Sequence, residues 1–164
     1  MTDSRSGTVA VVHTDSDTIC QQRTVRDRSV DRQSGPIVFF DGVCGLCNGS
    51  VDWLMARDRR AVLRFAPLQG ETAQRTLGPL DDDPETWSMV LVDETGRYRR
   101  SDAAIKIVEY LGGPWAIAGR VIGIVPRGLR DAGYRWIARN RYRWFGQHET
   151  CRIPTPEERS RFLP

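Results

Sequence analysis

Ile37–Phe40 (IVFF) is a short, unbroken apolar run, and it ends directly in Asp41-Gly-Val-Cys44-Gly-Leu-Cys47-Asn48. An apolar run without alternation is the mark of a strand buried on both faces, so a layer must cover each side of its sheet. Asp41 and Gly42 form a turn pair. From Cys47 or Asn48 the period changes, because Val51, Leu54 and Met55 recur at i, i+3, i+4, and the segment to about Arg59 reads as an amphipathic helix. Val62–Leu68 (VLRFAPL) alternates well enough for a second strand, stopped by Pro67. Strand, helix and strand thus follow within about 32 residues, the size of one βαβ unit, and the two strands are expected to be parallel neighbours.

Downstream, Glu71–Leu77 reads as a short helix that gives way to an acidic loop (Asp81, Asp82, Asp83, Pro84, Glu85). Trp87–Val92 is another buried strand, Glu94–Gly96 a tight turn and Arg97–Arg100 a polar return strand, which together predict an edge hairpin. Ser101 or Asp102 can cap the next helix, with Ala104, Ile105, Val108 and Leu111 as its buried stripe and Gly112-Gly113 as its stop. The order β-α-β-α-β-β-α is that of a thioredoxin-like α/β fold. A C-terminal helical extension follows: Trp115–Val125, then after Pro126 a helix with Leu129, Ala132, Gly133, Trp136, Ile137 and Asn140 on one face and Arg130, Arg135, Arg139 and Arg143 among the positions outside it. Residues 151–164 form a Pro-interrupted tail expected to lie back over the domain.

The chain of 164 residues suits one core. We divide it into a disordered leader (1–34), a thioredoxin-like domain carrying the cysteine pair (35–113) and a basic helical extension packed on that domain (114–164). The leader shows no sustained period of 2 or 3.6, so its His13 and Cys20 are expected to do no chemistry. No apolar run approaches the ~20 residues of a bilayer crossing. Four Cys are too few for a disulfide scaffold, and the opening residues lack the form of a signal peptide, so a cytoplasmic setting is expected. Residues 114–164 hold ten Arg against four carboxylates, while the rest of the chain is neutral or acidic. This basic segment is the sole support for a non-enzymatic module contacting a membrane surface or nucleic acid. Only Lys106 is a lysine among the 24 basic residues, a bias that speaks against selection for nucleic acid.

The chemistry concentrates at Cys44 and Cys47. At a helix N-terminus the first N–H groups lack intrahelical partners and the positive end of the dipole is near, which favours a thiolate. With two residues between them, Cys44 can attack a disulfide and Cys47, one turn on, can resolve the mixed disulfide. Gly45 permits the substrate chain or sulfur to approach the backbone closely. Asp41 has two roles open to it, a turn hydrogen bond to the amides at 43 and 44 or proton transfer with Cys47. A competing reading makes Cys44 and Cys47 half of a zinc site completed by His148 and Cys151. A phosphatase of the haloacid-dehalogenase type would need a carboxylate at position 43, which is Val.

Asp41, Cys44 and Cys47 match the D-x-x-C-x-x-C signature, and the chain resembles the DCC family of predicted thiol-disulfide oxidoreductases (domain of unknown function DUF393). The similarity continues through Phe65–Gln69 (FAPLQ), Ser101–Ala104 (SDAA), Leu111–Trp115 (LGGPW), Tyr134, Ala138–Tyr142, Trp144–Gly146 and Cys151. The resemblance implies a thioredoxin-like fold and redox chemistry at Cys44 and Cys47 with Asp41 as third signature residue, and implies less about substrate. With the redox reading of the pair, no metal or organic cofactor is expected, and the expected partners are thiols or disulfides, protein or small-molecule. The approach to the third strand reads Glu85-Thr86-Trp87-Ser88, without the proline that thioredoxins place opposite their cysteines. The partner groove is therefore expected to be built from the Arg-rich C-terminal segment. Tyr134, Arg139 and Arg141 are its auxiliary candidates, either as core aromatic and solvated cations or as groups reaching Cys44. Cys151 is a third thiol, open to redox use or to core packing.

Overall fold

In a computed structural model of the chain, the described residues are 35–79, 87–149 and 154–164; the leader, the acidic loop at 80–86 and Cys151 lie outside them. Among the described residues there are four strands and five helices: β1 (Ile37–Phe40), α1 (Gly45–Arg57), β2 (Arg64–Pro67), α2 (Glu71–Leu77), β3 (Val90–Asp93), β4 (Gly96–Arg99), α3 (Arg100–Leu111), α4 (Gly113–Gly123) and α5 (Arg127–Phe145). The sheet order is β2-β1-β3-β4, with β1 parallel to β2 and antiparallel to β3, and β3 antiparallel to β4. This mixed α/β arrangement is consistent with a thioredoxin-like fold.

The unbroken apolar run of β1 explains the two cores. Val38 and Phe40 point to one face, where they join Val51 and Leu54 of α1, Phe65, Leu91, and Ala103 and Ile107 of α3. Phe39 points to the other face and meets Ala66, Leu68, Val90 and Ala73 of α2. At roughly 1.5–3 kcal/mol per buried large apolar side chain, these two layers are the main stabilising term. The tail crosses back to the β2 edge: the Leu163 N–H donates to the Phe65 carbonyl at 2.8 Å, and the Phe162 ring lies 5.6 Å from Phe65 and 6.2 Å from Phe40.

Three details differ from the periodicity. Helix α1 starts at Gly45 rather than Cys47 or Asn48, because its first turn faces the cysteine site and carries no apolar stripe. Helix α3 starts at Arg100, its buried residues are Ser101, Ala103 and Ile107, with the expected Ala104, Ile105, Val108 and Leu111 only half-buried, and neither Ser101 nor Asp102 caps it. Instead Ser101 donates to Asp131, and Asp102 pairs with Arg127 and Arg130, each at 3.0 Å. The largest difference concerns α5. Its apolar positions Leu129, Trp136 and Ile137 are exposed, while Tyr134, Ala138 and Arg141 lie on the inward side, with Arg141 3% exposed. Periodicity reads which face is apolar, but here the helix packs on a polar site that satisfies its hydrogen-bonding face.

Candidate functional site

The site forms where the C-terminal ends of β1 and β2 meet the N-terminus of α1. Pairing of Phe40 with Pro67, extended by the Leu68 N–H donating to the Phe40 carbonyl at 2.8 Å, sets the residue after each strand beside its counterpart. Gln69 is thereby brought to Asp41: its Nε2 donates to Asp41 Oδ1 at 2.9 Å, and its Oε1 accepts from the Gly42 N–H at 3.2 Å. The turn is closed by the Val43 N–H donating to Asp41 Oδ1 at 3.2 Å and the Cys44 N–H donating to the Asp41 carbonyl at 3.3 Å. Asn48 ties the first turn of α1 back to it through Nδ2 donating to the Gly42 carbonyl at 3.0 Å.

Helix α5 completes the site from the other side. Arg141 Nη2 approaches Asp41 Oδ2 at 3.3 Å, Nη1 donates to the Trp87 carbonyl at 2.7 Å, and the Tyr142 hydroxyl donates to Asp41 Oδ2 at 2.5 Å. The Asp41 carboxylate therefore accepts from Gln69 and Val43 on one oxygen and from Arg141 and Tyr142 on the other. Those four donors fill the roughly four lone-pair positions of a carboxylate. Asp41 and Arg141 are 2% and 3% exposed, so this ion pair is dry. Tyr134 on the same helix accepts from the Met89 N–H at 2.9 Å, anchoring α5 to the start of β3.

Cys44 is the N-cap of α1 and is fully buried, whereas Cys47 is half-buried; both are free thiols. The cover over Cys44 is the segment that leaves α5. The Gly45 N–H donates to the Gly146 carbonyl at 3.2 Å, the His148 N–H donates to the Val43 carbonyl at 2.8 Å, and Cys44 and Gln147 form an antiparallel bridge. Gly45 is needed for this: a Cβ there would lie 2.1 Å from the Phe145 carbonyl oxygen. The space over Gly45 that the sequence assigned to the substrate is thus occupied by the protein's own backbone at Phe145 and Gly146.

A hydrogen bond from the Cys47 thiol is the chief reason that Cys44 is pulled down to about 6. Burial opposes it; the Cys47 backbone N–H and the Arg141 charge assist, and the Asp41 charge opposes. For Cys47 the same hydrogen bond, then burial, pushes the thiol strongly upward. One cysteine is thereby set as the anion and the other as its proton-bearing donor. Burial also raises Tyr134 and Tyr142 to about 12, so both phenols stay protonated at neutral pH, Tyr142 as the donor to Asp41 and Tyr134 as the acceptor from the Met89 N–H.

Of the residues singled out in the sequence, the fold gathers Asp41, Cys44, Gly45, Cys47 and Arg141, with Tyr134 two helical turns before Arg141 along α5. Arg139 is exposed and does not reach the pair. His148 adjoins through its backbone, and Cys151 lies outside the described residues. No group of three His, Cys, Asp or Glu suited to a metal occurs among the described residues. Gln69 and Tyr142 went without a role in the sequence; the parallel register of β1 and β2 is the signal that could have found Gln69.

The sequence profile of the DCC1-like thiol-disulfide oxidoreductase family matches residues 38–147, which include every one of these contacts up to Gln147. The chain belongs to that family. It is 40% identical over 129 residues to the uncharacterized protein YuxK of Bacillus subtilis (strain 168), covering 78% of this chain and 93% of YuxK. It is 36% identical over 145 residues to a chloroplastic DCC family protein of Arabidopsis thaliana, covering 80% of this chain and 83% of that one. No solved structure matches. Among the described residues, no helix of this family member is long and apolar enough to cross a membrane.

Proposed function

We propose that this DCC1-like protein exchanges disulfides with thiol or disulfide clients through Cys44 and Cys47. The observation that carries the reading is the hydrogen-bonded pair at the N-terminus of α1, in which Cys44 is lowered to about 6 and Cys47 is raised. In the reducing direction, the Cys44 thiolate attacks a client disulfide; the Cys44–client S–S bond forms, the client S–S bond breaks, and the departing client sulfur takes a proton from solvent. Cys47 then loses its proton and attacks the Cys44 sulfur. The Cys44–Cys47 disulfide forms, the second client sulfur leaves as a thiol, and two electrons have passed from the protein to the client. An external thiol reductant restores the dithiol, and the reverse sequence oxidises a client dithiol. No metal or organic cofactor takes part.

Asp41 acts here as a positioning residue. Its four acceptor positions are occupied, so it has no lone pair free for the Cys47 proton, and its charge and that of Arg141 push the Cys44 thiol in opposite directions. Tyr142 and Gln69 hold that carboxylate in place. Arg141 belongs to the same group, and the C-terminal segment supplies the wall that thioredoxins build around their proline.

The test is reversible thiol labelling in glutathione redox buffers with metal analysis of the same sample. Two thiols per chain, lost and regained together and abolished by Cys44→Ser, are expected. A poise near the cytosolic glutathione pool, about −220 to −320 mV, would mark a reductase or isomerase, and one well above it an oxidant. One equivalent of zinc whose removal unfolds the protein, with no reversible disulfide, would overturn the redox reading.

A further inference from the structure

Helices α4 and α5 turn their apolar residues away from the protein. Ile117 is 62%, Ile124 81% and Leu129 67% exposed, and Val121, Trp136 and Trp144 are exposed with them. Ile117, Val121 and Ile124 recur at i, i+4, i+7 along α4 and its end, and Leu129, Trp136 and Ile137 continue the pattern on α5. The two stripes are continuous, because every residue from Arg120 to Leu129 is exposed. Isolated exposed apolar residues are ordinary, but a run of this extent rimmed by polar groups marks an interaction surface.

Charge identifies what that surface fits. Between Leu111 and Gln147 the chain has seven Arg and one carboxylate, Asp131, which is engaged by Ser101 and Arg127. Arg127 and Arg130 are held by Asp102, and Arg141 by the site. Arg120, Arg135, Arg139 and Arg143 are exposed, and no described carboxylate pairs with them. On α5 the last three follow one another at i, i+4, i+8, a basic row along one edge of the apolar stripe. Aliphatic residues and tryptophans flanked by arginine, with no opposing carboxylate, are complementary to the boundary between acyl chains and anionic headgroups. The tryptophan rings of Trp136 and Trp144, 4.8 Å apart, suit that boundary because indole joins a large apolar body to one N–H donor.

We propose that the outer face of α4 and α5 docks this protein on an anionic lipid surface. The arginines approach the headgroups while Ile124 and Leu129 enter the acyl boundary, in the plane of the surface and not across it. The opposite face of α5 holds Asp41 through Arg141 and Tyr142, so docking leaves the polar site on the protein side of the helix. This inference does not depend on the redox reading.

The experiment is co-sedimentation of the full chain with vesicles of phosphatidylcholine alone and of phosphatidylcholine with about one third phosphatidylglycerol, at low and at high salt. Binding to the anionic vesicles only, lost at high salt and accompanied by a blue shift of tryptophan emission, is expected. Ile124→Asp combined with Leu129→Asp should abolish it with the melting temperature unchanged. Arg139→Gln and Arg143→Gln should each weaken it ~5-fold. Failure of the wild-type chain to sediment, equal sedimentation with both vesicles, or binding that survives all four substitutions would overturn the proposal. So would a dimer, seen by light scattering, that Ile124→Asp and Leu129→Asp disperse while no vesicle binding occurs, since the occupant would then be a second copy of the chain.

Discussion

Asp41 and Cys44 sit three positions apart, yet they depend on the fold in different ways. Cys44 owes its acidity chiefly to Cys47, one turn along the same helix, so that property is local. Alkylation of Cys44 in the reduced protein should follow a titration near pH 6, and Cys47→Ala, which removes the donating thiol, should move the inflection upward. An unchanged inflection would mean that the helix N-terminus alone sets the thiolate. Asp41, in contrast, is held by residues 28 and about 100 positions away. Asp41→Asn leaves the Arg141 guanidinium buried without its counter-charge, and the loss of stability expected is about 3–5 kcal/mol, read as a fall in denaturation midpoint. Because the Asp41 charge raises Cys44, the same substitution should also shift the Cys44 inflection downward, which simple unfolding would not do.

The first turn of α1 and the segment leaving α5 form a single packing unit. Backbone hydrogen bonds at Gly45 and His148 lay that segment over Cys44, and only a residue without Cβ fits beneath the Phe145 carbonyl. In Gly45→Ala the segment must move, because all three contacting atoms belong to backbone. We expect a cost of about 1–3 kcal/mol from overpacking, together with faster alkylation of Cys44 at a fixed pH above 6. A stable Gly45→Ala protein with unaltered alkylation would show that clients reach Cys44 by another side. Sequence reading found α1, its cysteines and the glycine between them, since those are consecutive residues; it could not find the cover, whose residues lie about 100 positions downstream.

Across the folded protein, the tail and the redox pair set how stability responds to substitution and pH. Phe162 packs on Phe65 and Phe40 at the edge of the main core, and Phe162→Ala should lower the denaturant midpoint by a loss of about 2–4 kcal/mol, less than a fully buried ring, with an unchanged slope. Cys44 is lowered from the ordinary thiol value of 9.0 to about 6, so it binds its proton less readily in the folded chain than in the unfolded one. The stabilisation it contributes is fully present above pH 9 and is lost as pH falls toward 6. Cys47 is raised, and its contribution is lost as pH rises beyond 9. The reduced protein should therefore gain stability from pH 6 to 9 relative to the disulfide form, which has neither thiol; equal slopes for the two forms in denaturation at several pH values would refute the assignment. Local signals were enough for the element order, the two-sided burial of β1 and the D-x-x-C-x-x-C pair, because strand period, turn residues and helix entry are written in neighbouring positions. Periodicity also found the apolar stripe of α5 but not its direction. That direction, the burial of Arg141 and the meeting of Gln69 and Tyr142 on Asp41 were decided by tertiary structure, because a buried carboxylate at the ends of β1 and β2 demands donors, and the polar face of α5 supplies them.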